Sequence, residues 1–426
     1  MKRPEMPIHN DQIVMIDPTR DAAFDLLSAV LDRHRPLEEA LDGLSRLDAR
    51  DRAAGHRLAA AVLRRMGSLD AALEPFLKKA PPVPVRHILR IGAAGLLLLD
   101  TPAHAAVATA VAQARSRKLV AFCPLVNAVL RRLAEAGPAA LEGLDGPRLD
   151  TPPWLWTAWG GQARAIAEAH LHEAPLDLTV KPGETPPPGG EALPTGSWRY
   201  PPGTRVPGLP GFDAGAFWVQ DAAAALPAQL LAARPGELVA DLCAAPGGKT
   251  AQLAAAGAQV IAVERDASRL ARLRENLARL LLSAETVLGD AAEWHPPGPL
   301  DAVLLDAPCS ATGTIRRHPD VAHLKRSGDI AALAAGQDRL IEAACAILKP
   351  GGRLVYAVCS LQPEEGPQRV QAALEKLRLR AEPFTPAELA GLPEALTPEG
   401  WIRTSPAMWG ARGGMDGFFV ARAIRT

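Results

Sequence analysis

From residue 226 to the C-terminus, short apolar runs rich in β-branched residues alternate with stretches of helical spacing. The strand candidates are ELVADLC (237–243), AQVIAVE (258–264), ETVLGD (285–290), LDAVLLDA (300–307), GRLVYAVC (352–359) and GFFVARAI (417–424). Helical patterns such as ASRLARLRENLARLL and DIAALAAGQDRLIEAACAIL lie between several of them. Such alternation demands an α/β fold in which a mostly parallel sheet is covered by helices on both faces. Ligands in that architecture sit beyond the carboxyl ends of the strands. Asp241, Glu264, Asp290, Asp306, Cys309 and Cys359 all fall at or just past those ends, so they are expected to line one crevice. Each acid taken alone reads as well as a helix N-cap, Asp290 before AAEW in particular.

The first turn of this region, DLCAAPGGKT at 241–250, joins a strand to the helix TAQLAAAGA. It brings backbone N–H groups and a helix N-terminus close to a ligand, and its small residues permit close approach. The spacing fits neither GxGxxG nor GxxxxGK[ST], which argues against a dinucleotide pyrophosphate or a nucleoside triphosphate. An ordinary tight connection is the bland alternative. Against it, the next strand ends in Glu264, about 20 residues on, where a carboxylate can accept hydrogen bonds from a ribose.

With 426 residues the chain is expected to hold two or three domains. Before residue 145, apolar residues recur at helical spacing in DAAFDLLSAVLDRH, RAAGHRLAAAVLRRM, VRHILRIGAAGLLLL, AVATAVAQARS and PLVNAVLRRLAEA. Residues 1–145 therefore read as an all-α bundle. Residues 146–225 open on Trp154, Trp156 and Trp159 and run through a proline-rich stretch, which suggests a connector or small α+β subdomain. Residues 226–426 form the α/β domain. Formal net charge is zero, so any nucleic-acid surface must be local, as at Arg64–Arg65, Arg115–Arg117–Lys118, Arg131–Arg132 and Arg316–Arg317. Solvated helix faces would look the same. The apolar run IGAAGLLLL is too short to span a bilayer, and no membrane association is expected. Five cysteines without CxxC spacing, and no signal peptide, point to free thiols in a cytoplasmic protein. Ten histidines without HxxxH or Cys/His spacing make a metal site improbable. Cys123 and Cys345, on apolar helical faces, read as small buried hydrophobes.

Two thiols and carboxylates at strand ends suit one chemistry well. Carbon 5 of cytosine is too weak a nucleophile to take a methyl group from a sulfonium centre until a group adds at carbon 6 and makes the ring an enamine. A thiolate is a suitable adding group. After transfer, a base must remove the proton at carbon 5 so that the adduct can eliminate. A carboxyl group such as Asp306, holding a proton against ring nitrogen 3, would make carbon 6 more electrophilic. Which thiol attacks is not decided by these residues.

The strings DLCAAPGGKT, LLDAPCSATGTIRRHPDV, GGRLVYAVCSLQPEEG and GGMDGFF resemble those of the RsmB-type (Sun/Fmu) ribosomal RNA cytosine-5 methyltransferases within the wider NOL/NOP/Sun family. The N-terminal helices, ending in PLVNAVLRRL, resemble the NusB-like RNA-binding domain of that subfamily, so the likeness covers nearly the whole chain. The resemblance implies an S-adenosyl-L-methionine-dependent, Rossmann-like methyltransferase domain. It implies that Cys359 is the nucleophile and that Cys309 helps to release product. Cys243, Ala244, Ala245, Pro246, Gly247, Gly248 and Lys249 would surround the cofactor, Glu264 would bind its ribose, and Asp290 and Asp306 would complete the cofactor and base site. Lys249 would also help to position catalytic groups. The implied substrate is a cytidine in 16S ribosomal RNA, free or in an assembling small subunit, and the implied state is a cytoplasmic monomer.

Three positions depart from the family pattern. Val358 stands where threonine is usual, Glu264 where aspartate is common, and LDLTVKP with its proline-rich continuation replaces an Arg-Val-Asn type segment. None removes a reactive group. Arg316, Arg317 and His318, just after the Pro-Cys loop, read either as a solvated loop or as contacts to target RNA phosphates, and we favour the latter. A transfer RNA substrate is the nearest alternative function, since the catalytic motifs are shared. A noncatalytic RNA-binding or antitermination factor is the third, against which the two cysteines, Asp306 and the glycine turn all argue.

Overall fold

A computed structural model describes residues 17–389 and 391–426, so the first sixteen residues of the expected helical domain lie outside the described residues. The chain divides into two compact units at residues 150 and 151. The first is helical, built chiefly from Pro18–Leu31, Ala49–Arg64, Val83–Leu98, Ala103–Ser116 and Cys123–Ala136. Asp17 and Asp48 cap two of these helices, their carboxylates accepting from the backbone N–H groups of Arg20 and Arg50. Leu26, Leu27, Leu63, Ile88, Ile91 and Leu130 are fully buried along the facing stripes. At Gly55 a Cβ would stand 2.6 Å from the Ala22 Cβ, so helices Pro18–Leu31 and Ala49–Arg64 meet where only glycine fits. Cys123 is buried in this bundle, and its thiol points at the Val111 carbonyl.

The second unit opens with the helices Pro153–Trp159 and Ala163–His170. Four short strands follow: β1 (Leu176–Val180), β2 (Glu191–Ala192), β3 (Trp198–Tyr200) and β4 (Phe217–Val219), ordered β2-β3-β1-β4 and antiparallel throughout. The atypical LDLTVKP segment thus supplies a central strand of this small sheet.

The large sheet contains β5 (Leu238–Leu242), β6 (Gln259–Glu264), β7 (Glu285–Leu288), β8 (Leu300–Asp306), β9 (Leu348–Val358), β10 (Leu379–Ala381), β11 (Ile402–Arg403) and β12 (Phe419–Arg425). Its order is β10-β12-β9-β8-β5-β6-β7, with β11 on β12. Strands β5 to β9 are parallel, and β10, β11 and β12 pair antiparallel. The core strands β5 and β8 are buried on both faces, which is why they read as unbroken apolar runs rather than alternating ones. Helix Ala267–Leu280 shows the opposite pattern. Its stripe of Leu270, Leu273, Leu277 and Leu280 is buried, and Asp266 caps it by accepting from the Arg269 N–H. The chain runs outward from β5 to β7 and then returns to place β8 on the other side of β5. That reversal opens a crevice at the carboxyl ends of β5 and β8.

Candidate active site

At the end of β5 the chain turns through Cys243, at φ +63°, and Gly247, at φ +102°. A Cβ on Gly247 would also approach Leu273 Cγ to 3.0 Å, so both backbone and space call for glycine there. The turn delivers the chain into helix Gly248–Ala255. Glu264, the last residue of β6, is buried and braces this turn, its carboxylate accepting from Ala245 N at 3.3 Å and Asp266 N at 3.0 Å. A carboxylate offers about four lone-pair sites, so these two bonds leave acceptor capacity at the strand end. Burial, with Asp306, Glu264 and Asp241 close by, pushes the Cys243 thiol up to about 12, which keeps it protonated and unreactive.

Lys249, in the first turn of that helix, donates to Asp306 Oδ2 at 2.8 Å, and its ammonium lies 5.3 Å from the Phe418 ring centre. Burial alone would lower its pKa, but the charge and hydrogen bond of Asp306 outweigh burial and raise it. Asp241 is fully buried behind this pair, with Oδ2 accepting from Thr250 Oγ1 at 2.6 Å. Burial, opposed by the Thr250 bond and reinforced by Asp306, lifts its pKa to about 7. Because the folded-state value is raised, folding holds a proton that the unfolded chain releases above about pH 4. Stability is therefore lost as pH rises from about 4 to 7, by up to about 4 kcal/mol at roughly 1.4 kcal/mol per unit. The near-isosteric Asp241→Asn is expected to flatten that slope in denaturant titrations at pH 5 and pH 8. An unchanged slope would show that Asp241 ionises freely in the folded state.

The two remaining residues of interest meet across the crevice. Cys309 lies three residues past β8 and Cys359 one past β9, and their Sγ atoms are 3.4 Å apart. The hydrogen bond with Cys359, together with burial, raises the Cys309 pKa well above the ordinary thiol range, so Cys309 holds its proton. The loops are packed without slack. Gly313 N donates to the Cys359 carbonyl, Gly417 N donates to the Gly313 carbonyl, and a Cβ on Gly313 would fall 1.9 Å from the Gly417 oxygen. The GGMDGFF string therefore holds the Pro-Cys loop, and its Phe418 flanks Lys249.

Two further expected residues have contacts of their own. Asp290 is exposed two residues past β7 and caps its own turn, accepting from Ala292 N at 2.9 Å; the bland N-cap reading describes its present contacts. Arg316 does not face solvent or a polyanion. It is completely buried, 2.6 Å from Asp221 Oδ2, and Arg317 donates to Asp416 Oδ2 at 2.8 Å. The expectation of phosphate contacts at Arg316 is corrected on that ground: a guanidinium sealed between carboxylates cannot reach a phosphate. Reasoning from sequence also missed Ser310, Ser360 and Glu365, which form a buried polar cluster directly behind the two thiols. The signal was the repeated Cys-Ser pair, one in each loop.

Comparison with known proteins matches this arrangement to the description "16S rRNA methyltransferase RsmB/F" over residues 228–424 and to the NusB family over residues 17–135. A ribosomal RNA small subunit methyltransferase B from Cronobacter sakazakii is 36% identical, covering 95% of this chain and 98% of its own. One from Pseudomonas putida is 37% identical with the same coverage of each chain. The chain belongs to the RsmB/F methyltransferase family. Among solved structures, a methyltransferase homolog protein from Pyrococcus horikoshii is 28% identical, with a TM-score of 0.52 over 67% of this chain and 96% of its own. The crystal structure of PH0851 has a TM-score of 0.72 over 100% of both chains at 22% identity, a likeness of fold. Family membership makes the chain an RNA methyltransferase with a NusB-type helical region and a Rossmann-like domain. Among the described residues, no helix is long and apolar enough to cross a membrane, and no group of three His, Cys, Asp or Glu could hold a metal ion.

Proposed function

We propose that this protein methylates carbon 5 of one cytidine in 16S ribosomal RNA, with S-adenosyl-L-methionine as donor and Cys359 as covalent nucleophile. The observation that carries the reading is the pair of thiols 3.4 Å apart at the switch-point crevice, beside the domain's Lys249–Asp306 pair. The donor fits the residues present. The turn from Cys243 to Gly248 is lined by small residues at a helix N-terminus, and Glu264 and Asp290 stand at and just past neighbouring strand ends for hydroxyl groups. When bound, the donor supplies an electrophilic methyl group.

The chain's own groups do the rest. Cys359 adds to carbon 6 as a thiolate, while the proton that Lys249 holds against Asp306 passes through that carboxyl group to ring nitrogen 3, so that negative charge does not build up there, and returns on elimination. Carbon 5 then takes the methyl group. A water molecule takes the carbon 5 proton to solvent, which re-forms the ring double bond and expels Cys359, and Cys309, holding its proton at 3.4 Å, returns one to the departing thiolate. The NusB-type helical region supports ribosomal RNA over transfer RNA as substrate, and the small-subunit methyltransferase names of its relatives point the same way.

Labelled methyl transfer to unmodified 16S ribosomal RNA and to transfer RNA in parallel, followed by bisulfite sequencing, tests the reading. Label at a single 16S cytidine is expected. Label only in transfer RNA would keep the reaction and overturn the substrate, and label at another atom of the base would overturn the reaction.

A further inference from the structure

We propose that Glu365 is a positioning residue that clamps the two cysteine loops together and so sets the separation of Cys309 and Cys359; this rests on the covalent mechanism above. The Glu365 side chain is fully buried. Its Oε1 accepts from Ser310 N at 2.8 Å and Gln337 Nε2 at 3.1 Å, and its Oε2 accepts from Ser310 Oγ and Ser360 Oγ, each at 2.5 Å. Ser310 follows Cys309 and Ser360 follows Cys359. One carboxylate therefore bonds the residue next to each thiol.

The cluster is anchored at both ends. Tyr356, in the strand that carries Cys359, donates its hydroxyl to the Glu365 carbonyl at 2.5 Å. Gln337, on helix Asp329–Ile347, donates also to the Pro308 carbonyl at 2.9 Å, immediately before Cys309. Arg403 bonds the Ser360 and Leu361 carbonyls and so fastens the Cys359 loop from the other side. Burying a carboxylate costs several kcal/mol, and all four of the bonds named here come from neutral donors. An apolar side chain would fill the space without that cost. What the carboxylate adds is four acceptor sites converging on two loops from different strands, held rigid where reacting atoms must lie within about 0.5 Å of place.

Glu365→Gln keeps the shape but leaves fewer acceptors for the Ser310 N–H and two hydroxyls. Its kcat is expected to fall by about tenfold to a hundredfold, with KM for RNA unchanged, because displacement by about 1 Å costs up to roughly a hundredfold. A second readout needs neither RNA nor methyl donor. Phenylarsine oxide condenses with two neighbouring thiols, forming two S–As bonds and releasing water. Intact-mass titration should show the wild-type protein captured through Cys309 and Cys359, a Cys309→Ala control not captured, and Glu365→Gln weakened by about tenfold. Ser310→Ala and Ser360→Ala each remove one link while Glu365 keeps its other partners, and each should give a smaller effect in the same direction. Wild-type capture and wild-type kcat in Glu365→Gln would overturn the clamp, as would a loss of thermal stability with kcat per folded molecule unchanged. If the wild-type protein itself transfers no methyl, the proposed function falls, and the arsenical titration still decides whether Glu365 sets the thiol pair.

Discussion

Cys359→Ala is expected to lower methyl transfer by about four orders of magnitude or more, while Cys309→Ala leaves a protein–RNA adduct that survives denaturation. The two thiols are interchangeable in chemistry and nearly so in place, since each follows a parallel strand and they touch at 3.4 Å. The family resemblance, and not their surroundings, assigns attack to Cys359. The hydrogen bond with Cys359 and burial raise the Cys309 pKa, which is consistent with Cys309 as the donor. Removing the attacking atom eliminates the enamine and with it the reaction, and loss of a nucleophile of this kind costs about 10⁴ to 10⁶ in kcat. Removing the proton donor leaves addition and methyl transfer intact but strands Cys359 on carbon 6. Gel electrophoresis in denaturant of each variant with labelled RNA and methyl donor distinguishes the two. An adduct in Cys359→Ala, and none in Cys309→Ala, would exchange their roles. Full turnover in Cys359→Ala would remove covalent catalysis altogether.

The elements that carry these thiols were readable because parallel strands buried on both faces leave long apolar signatures. LDAVLLDA and GRLVYAVC announce β8 and β9, and the strand-end rule then collects Asp306, Cys309 and Cys359 into one place. Charge in loops is less legible, because a single sequence does not say whether a loop is covered. Arg316–Arg317 looks like a basic surface, yet the loop is roofed by the 413–417 segment and both guanidiniums meet Asp416. Glu365 in LQPEEG looks like a solvated acid before a helix, and burial becomes visible only when Ser310 and Ser360 are brought together from strands about 50 residues apart. Asp290 stands past β7 as expected, and its carboxylate also caps its own turn through one hydrogen bond, a contact the strand-end rule does not show.

Arg316→Met is expected to destabilise the protein by about 3–5 kcal/mol, the largest loss of stability we anticipate from any single substitution in the second unit. Arg316 Nη2 lies 2.6 Å from Asp221 and 3.4 Å from Asp416, and Nη1 donates to the Gly413 carbonyl at 3.0 Å. Asp221 in turn caps helix Ala222–Leu231 and accepts from Asp416 N at 3.1 Å. Arg316 and the two aspartates are buried, and Arg317, 31% exposed, completes a cluster with no net charge. Burial tends to raise both carboxyl pKa values; at Asp221 the arginines prevail and lower it, whereas at Asp416 burial prevails and raises it. Methionine fills the space but leaves one uncompensated buried negative charge, which the fold accommodates only by binding a proton. That proton is bound more readily at low pH, so the deficit should shrink between pH 8 and pH 5, opposite to ordinary acid destabilisation. Arg316→Lys should recover only part of the loss, since an ammonium cannot reproduce the planar fork that spans Asp221, Asp416 and Gly413. Denaturant titration of both variants at the two pH values measures this. Were Arg316 a phosphate contact instead, Arg316→Met would keep wild-type stability and lose RNA affinity, with a shallower dependence on salt.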